Sequence, residues 1–150
     1  MRRLALALLL ATVGCRSFDI KTPPNMIELE HDASFEYRAM TPEGVVLGVR
    51  VIDQGDKRAD VPFWARAIAL HMKELSGYAL LQTSEVTTRD GVKGTELRFG
   101  HDEHGKPYAY IVRIYVVGKR LFLVEAGGTK DEVEKAKADI DWAMTSLSLH

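Results

Sequence analysis

Apolar and polar positions recur along most of the chain with readable periods. Phe35–Met40 and Val45–Asp53 read as strands, because apolar side chains at every second position make one buried face of a sheet. Thr41-Pro42-Glu43-Gly44 between them carries proline and glycine where a tight turn favours them, so the two strands are predicted to form a hairpin. Gln54–Arg58 is a polar loop. Asp60 can cap a helix that starts near Pro62. Trp64, Ile68, His71 and Leu75 then fall on one helical face, and Gly77 ends the helix. Four strands follow: Leu80–Thr88, Val92–Phe99, Tyr108–Val117 and Leu121–Ala126. Turns at Asp90-Gly91 and Gly118-Lys119 join two of the pairs, and a loop from Gly100 to Gly105 joins the middle two. Connections this short force antiparallel neighbours, since a parallel crossover needs a dozen residues or more. Thr129 and Glu132 have the spacing of a capping box. Val133, Ala136, Ile140, Ala143 and Leu147 then repeat at helical spacing.

The predicted class is α+β: an antiparallel sheet of about six strands flanked by two main helices. Residues 27–150 form its single domain. The order is strand–strand–helix–four strands–helix, with a Gly77-Tyr78 exit from the first helix and a closing Ser146-Leu147-Ser148-Leu149. From Phe35 to Leu147 this arrangement resembles the Mog1/PsbP-like fold, including lipoproteins of the DcrB type. The resemblance implies a helix-flanked antiparallel sheet used mainly for protein contacts.

The start of the chain has a different pattern. Arg2-Arg3 precede eleven uncharged residues, Leu4–Gly14, and Cys15 follows them directly. A basic start, a short apolar run and small residues at its end make an export signal. Eleven residues are too few to span a bilayer core, which takes about 20 in a helix. Thr12-Val13-Gly14-Cys15 resembles the lipobox of bacterial lipoproteins. That resemblance implies cleavage of residues 1–14 and lipidation of Cys15 with diacylglycerol and a fatty acyl chain such as palmitate. An ordinary secretory signal is the alternative. Residues 15–26, with Pro23-Pro24, read as the lipidated cysteine and its tether. Arg16, rather than an aspartate, follows Cys15, which points to the outer membrane, facing the periplasm.

Composition narrows the function. Removing the leader's two arginines takes the formal charge from −1 to −3, which leaves no basic footprint for nucleic acid. Cys15 is the only cysteine, so no disulfide braces an exported form and its core must hold it. No serine-nucleophile elbow or phosphate-binding glycine loop is present, and no cofactor or enzymatic activity is predicted. His101-Asp102-Glu103-His104 has the donor types of a metal site. In a loop these side chains splay, so a solvated turn is the preferred reading. His71 on a helix stripe reads as a boundary histidine.

Five charges interrupt the strands: Arg50, Glu96, Arg98, Arg113 and Glu125. If the register puts them on one side of the sheet, they make a mixed-charge surface. That surface is either a wetted array of cross-strand ion pairs or a partner-binding face. The function expected is a non-catalytic, lipid-anchored interaction module of the cell envelope, with another envelope protein as partner. Membrane contact would come through the lipid alone. A periplasmic carrier of a metal or small ligand is the alternative.

Overall fold

A computed structural model describes residues 16–30 and 33–150. The expected leader, Cys15, and His31-Asp32 lie outside the described residues. The fold is α+β. Seven antiparallel strands form the main sheet: β2 (Ile27–Glu28), β3 (Tyr37–Met40), β4 (Val46–Asp53), β5 (Ala79–Thr87), β6 (Lys93–Glu103), β7 (Lys106–Val117) and β8 (Arg120–Thr129). Their spatial order is β2-β3-β4-β8-β7-β6-β5. The four long strands after the first helix are a meander, as their short turns require. β4 then closes against β8 through eight paired positions, from Val46 opposite Gly127 to Asp53 opposite Arg120.

Helix α1 (Val61–Ser76) covers one face. Asp60 caps it by accepting from Phe63 N at 2.9 Å. Gly77 ends it at φ 69°, in the left-handed region where a glycine carries no Cβ penalty. Its inward stripe is Val61, Trp64, Ala65, Ile68 and Met72, packed on Leu97, Phe99, Val112, Ile114 and Leu121. The expected stripe is therefore corrected at its end. Met72 turns inward, His71 is exposed, and Leu75 is 76% exposed, because the buried face follows steps of four residues from Trp64.

The other face holds the larger core. Leu47, Val49, Tyr115, Phe122 and Val124 meet Val133, Ile140, Ala143, Met144 and Leu147 there. These helical residues lie on two segments, α2 (Lys130–Lys135) and α3 (Lys137–Ser146), with Ala136 between them. The capping box does not form. Thr129 is the last residue of β8, paired with Tyr108, and its side chain caps nothing, while Glu132 turns to Lys135.

Two further expectations are corrected. Residues 16–26 are no free tether. Phe18–Asp19 forms β1, which pairs with β9 (Ser148–Leu149) at the end of the chain. Phe18 and Met26 are buried in the core of the α2–α3 face. Lys21 N donates to Ser146 Oγ at 2.9 Å, and Asn25 donates to Asp139. The apolar Phe18 and Met26 draw this segment onto α3, so the packed unit begins before residue 27. The six-residue loop at Gly100–Gly105 is also absent. β6 and β7 stay paired to Glu103 and Lys106, and His104-Gly105 make a two-residue turn with φ of 54° and 77°. That backbone twist suits a tight hairpin.

Candidate functional site

Strand register decides the fate of the five charges. Glu96 stands opposite Arg113, and Leu97 stands opposite Val112. Val112 in turn faces Glu125, and Glu125 faces Gly48. Cross-strand partners share a face and neighbours along a strand do not. Glu125 therefore lies with Leu97 on the α1 side, and so does Arg50, two residues beyond Gly48. Glu96, Arg98 and Arg113 lie on the opposite side, with Tyr115. The single mixed-charge surface is thus replaced by two clusters on opposite faces.

The Glu96 cluster is closed. Glu96 is 4% exposed, and its two oxygens accept from Arg98 Nε at 2.6 Å and Arg113 Nε at 2.7 Å. Both carboxylate oxygens are used by aligned donors, so the group ties β6 to β7.

The Glu125 cluster opens on a cavity. Glu125 is 8% exposed. Tyr110 Oη donates to its Oε1. Arg50 Nε lies 2.6 Å from its Oε2, but neither atom makes an aligned hydrogen bond, so that contact is chiefly ionic. Burial pushes the Glu125 carboxyl above its usual 4.5, against the Tyr110 hydrogen bond and the Arg50 charge. Burial, and then the Glu125 carboxylate, drives the Tyr110 phenol well above its ordinary value. The Arg50 side chain is 42% exposed and stacks over the Phe35 ring, 4.4 Å from its centre. Gly48 makes this stack fit, because a Cβ there would lie 2.6 Å from the Phe35 ring.

A cavity of about 390 Å³ lies between α1 and this part of the sheet. Trp64, Ile68, Met72, Val112 and Leu123 supply its apolar walls, with Tyr110, Glu125 and Arg50 at one side and His71 among the lining residues. A shallower hollow of about 340 Å³ continues over Phe35, Gly48 and Gly127 and shares Arg50, Tyr110 and Glu125. The arrangement offers an apolar slot with one buried carboxylate, one phenol and one half-exposed guanidinium. These groups can bind and orient a small molecule.

The two histidines of the metal-like run are held apart in role. His101 Nδ1 lies 2.9 Å from the Gly77 carbonyl, and its ring stacks on Tyr78, which fastens β6 to the end of α1. His104 sits in the exposed turn. Among the described residues no three His, Cys, Asp or Glu side chains gather as a metal would need.

Tyr110, Phe35 and the cavity-lining Met72 escape a reading of the sequence. Gly48 was the available signal, since a glycine inside a strand marks a close approach to the backbone.

No family model and no curated protein sequence matches the chain. Solved structures do share its fold. LpqN of Mycobacterium tuberculosis, described as involved in cell envelope biogenesis, superposes with a TM-score of 0.74 at 14% identity, over 88% of this chain and 82% of LpqN. Cyanobacterial PsbP from Synechocystis gives 0.59 at 11% identity, over 93% and 96%. PA94, a Pseudomonas aeruginosa protein of unknown function, gives 0.57 at 14%, over 92% and 88%. At these identities the likeness is one of fold, the helix-flanked antiparallel sheet of the PsbP type.

Proposed function

We propose that this chain is a lipid-anchored protein of the bacterial cell envelope that acts by non-catalytic contact with another envelope protein. The observation that carries the reading is the placement of Cys15. It ends an export-type apolar run, and the packed fold begins with β1 at Phe18, three residues later. A diacylglycerol on Cys15 plus an N-acyl chain would hold the domain directly on the membrane, since two or more chains are needed for stable anchoring. Among the described residues no helix is long and apolar enough to cross a membrane, so the lipid would be the means of attachment. The likeness to LpqN, a protein of envelope biogenesis, supports the compartment. Arg16 after Cys15 favours the outer membrane.

Mass spectrometry of the mature, membrane-bound protein tests the anchor. The expected first residue is an acylated Cys15, and Cys15→Ser should stay in precursor form or leave the membrane fraction. An unmodified Cys15 in membrane-bound protein refutes the anchor. Crosslinking in membranes followed by copurification tests the contact role, which predicts a reproducible protein partner.

A second reading, a carrier of a small ligand, draws on the cavity under α1 with its buried Glu125. Recovery of a bound small molecule from purified protein, lost in Trp64→Ala, would favour it.

A further inference from the structure

Among the described residues the sheet ends at β5, and the sheet order pairs this strand on one side only, with β6. Exposed edges invite pairing, and proteins usually protect them with lysine, proline or a covering element. β5 reads Ala-Leu-Leu-Gln-Thr-Ser-Glu-Val-Thr and has neither lysine nor proline. Its one irregularity is a bulge at Leu81, between the paired Leu80 and Gln82. Leu81 is 70% exposed, and Leu70 and Leu80 are exposed beside it.

Beside this edge runs a groove of about 650 Å³, between the C-terminal half of α1 and the start of β5. Ala69, Leu70, Tyr78 and Leu80 give it an apolar floor, Arg66 and Lys73 add two cations, and among the described residues no carboxylate lines it. Lys73 does meet Glu74 on its own helix, at 3.9 Å and in solvent, a pair of little energetic weight.

We propose, on the reading that this is a protein-contact module, that β5 and this groove receive an extended segment of the partner as an eighth strand. Its groove-facing positions, every second residue, carry apolar side chains with acidic ones among them. An extended chain is what an open edge selects, because it alone repeats the backbone donors and acceptors along the whole strand. Period two then sends every second side chain toward α1, where apolar ones meet the floor and acidic ones meet Arg66 and Lys73. The two groove cations select acid over base. A second copy of this chain fits less well, since its own β5 brings a single carboxylate, Glu85, to two cations. The edge also points the right way. Arg16, next to Cys15, pairs with Glu28 on β2, at the opposite edge of the sheet. Six strand spacings, roughly 29 Å, separate that edge from β5, so an anchored molecule leaves β5 accessible.

The test uses the full chain in detergent and three labelled nine-residue probes, read by fluorescence anisotropy. All carry threonine at even positions; at odd positions one alternates valine and glutamate, one alternates valine and lysine, and the third is the glutamate peptide N-methylated at alternate amides. The glutamate probe is expected to bind at least tenfold more tightly than either of the others. Arg66→Glu with Lys73→Glu should reverse the preference between glutamate and lysine. Leu81→Lys, a solvent-facing change that spares the core, should weaken the glutamate probe at least tenfold while thermal unfolding stays unchanged. Hydrogen exchange should slow at residues 79–87 on binding. Equal affinity for the three probes, or protection elsewhere, overturns the proposal. Dimerisation that Leu81→Lys abolishes replaces it with self-pairing. If crosslinked partners persist unchanged in both variants, the contact function stands and the β5 groove is excluded.

Discussion

Glu96 and Glu125 are two carboxylates on one sheet, each buried and each beside arginine, yet their surroundings differ. Glu96 accepts two aligned bonds, from Arg98 and Arg113, and faces the larger core. Glu125 has one aligned donor, Tyr110, an ionic contact with a half-exposed Arg50, and a cavity alongside. A buried carboxylate whose two oxygens each hold an aligned donor offers less to a ligand. A partly satisfied one offers more, at the cost of desolvation. Burial with an arginine therefore does not distinguish the two carboxylates, whereas the count of aligned partners and the adjoining space do.

The sharpest way to break this comparison is the same substitution at both positions. Glu96→Gln places an amide N–H₂ against an arginine donor and leaves Arg113, whose side chain is 12% exposed, without a charged partner. Breaking a buried pair from one side costs about 3–5 kcal/mol. Chemical denaturation should show that loss, with any ligand or partner binding of the surviving folded protein retained. A cost under about 1 kcal/mol would remove Glu96 from its role as a staple.

Core truncations extend the contrast to the two faces. Ile140 on α3 is fully buried, so Ile140→Ala should cost about 2–5 kcal/mol. Ile68 on α1 is half-buried and borders the cavity. It loses fewer contacts, and Ile68→Ala should cost about half as much. Equal costs, measured by the same denaturation, would mean that the α1 face is packed as tightly as the other.

Much of this architecture was legible from residue patterns. Strand and helix periods placed the two-stranded hairpin, α1 and the four-stranded meander; of the residues expected in the core, Val49, Leu97, Val112, Val124 and Ile140 are buried, while Trp64 and Ile68 are only partly so. The charges were legible one by one but not as a set. Period two tells which face of its own strand a residue takes, and only pairing relates one strand's faces to the next. That is why Glu96 and Glu125, each opposite an apolar row, could not be assigned to different sides. The short β1 and β2 were missed for another reason. Two residues carry no period, and Phe18 and Met26 gain their place only once α3 exists to receive them. The interior of the Gly100–Gly105 stretch misled because glycine and charge suggest a loop, while His101 in fact holds a strand position through Gly77 and Tyr78.

Gly48→Ala probes the open cluster from below. The added methyl would meet the Phe35 ring at 2.6 Å, and Arg50 rests on that ring. Phe35 must shift and carry Arg50 from Glu125, with an overpacking cost of about 1–3 kcal/mol. Measured affinity for any ligand of the α1 cavity should fall with it. Unchanged stability and affinity would show that the Phe35 platform is not needed to place Arg50.

The smallest effect carries the most information about Glu125. Its folded pKa lies above the ordinary 4.5 because burial outweighs the Tyr110 bond and the Arg50 charge. Between 4.5 and that raised value the native state holds more protons than the unfolded chain, so rising pH costs stability across this window. The penalty is absent below the unfolded value and complete above the folded one. Glu125→Gln keeps an acceptor for Tyr110 and leaves Arg50 half in solvent, so at neutral pH its stability should lie within about 1 kcal/mol of the parent protein. Because glutamine does not titrate, the parent's stability relative to the variant should fall as pH rises from about 4 toward neutrality. Denaturation midpoints collected across that range give the slope directly. The opposite slope, a parent that gains on the variant with rising pH, is what a fully compensated carboxylate would give. It would place Glu125 with Glu96 among the staples and leave the cavity without a charged group poised for a ligand.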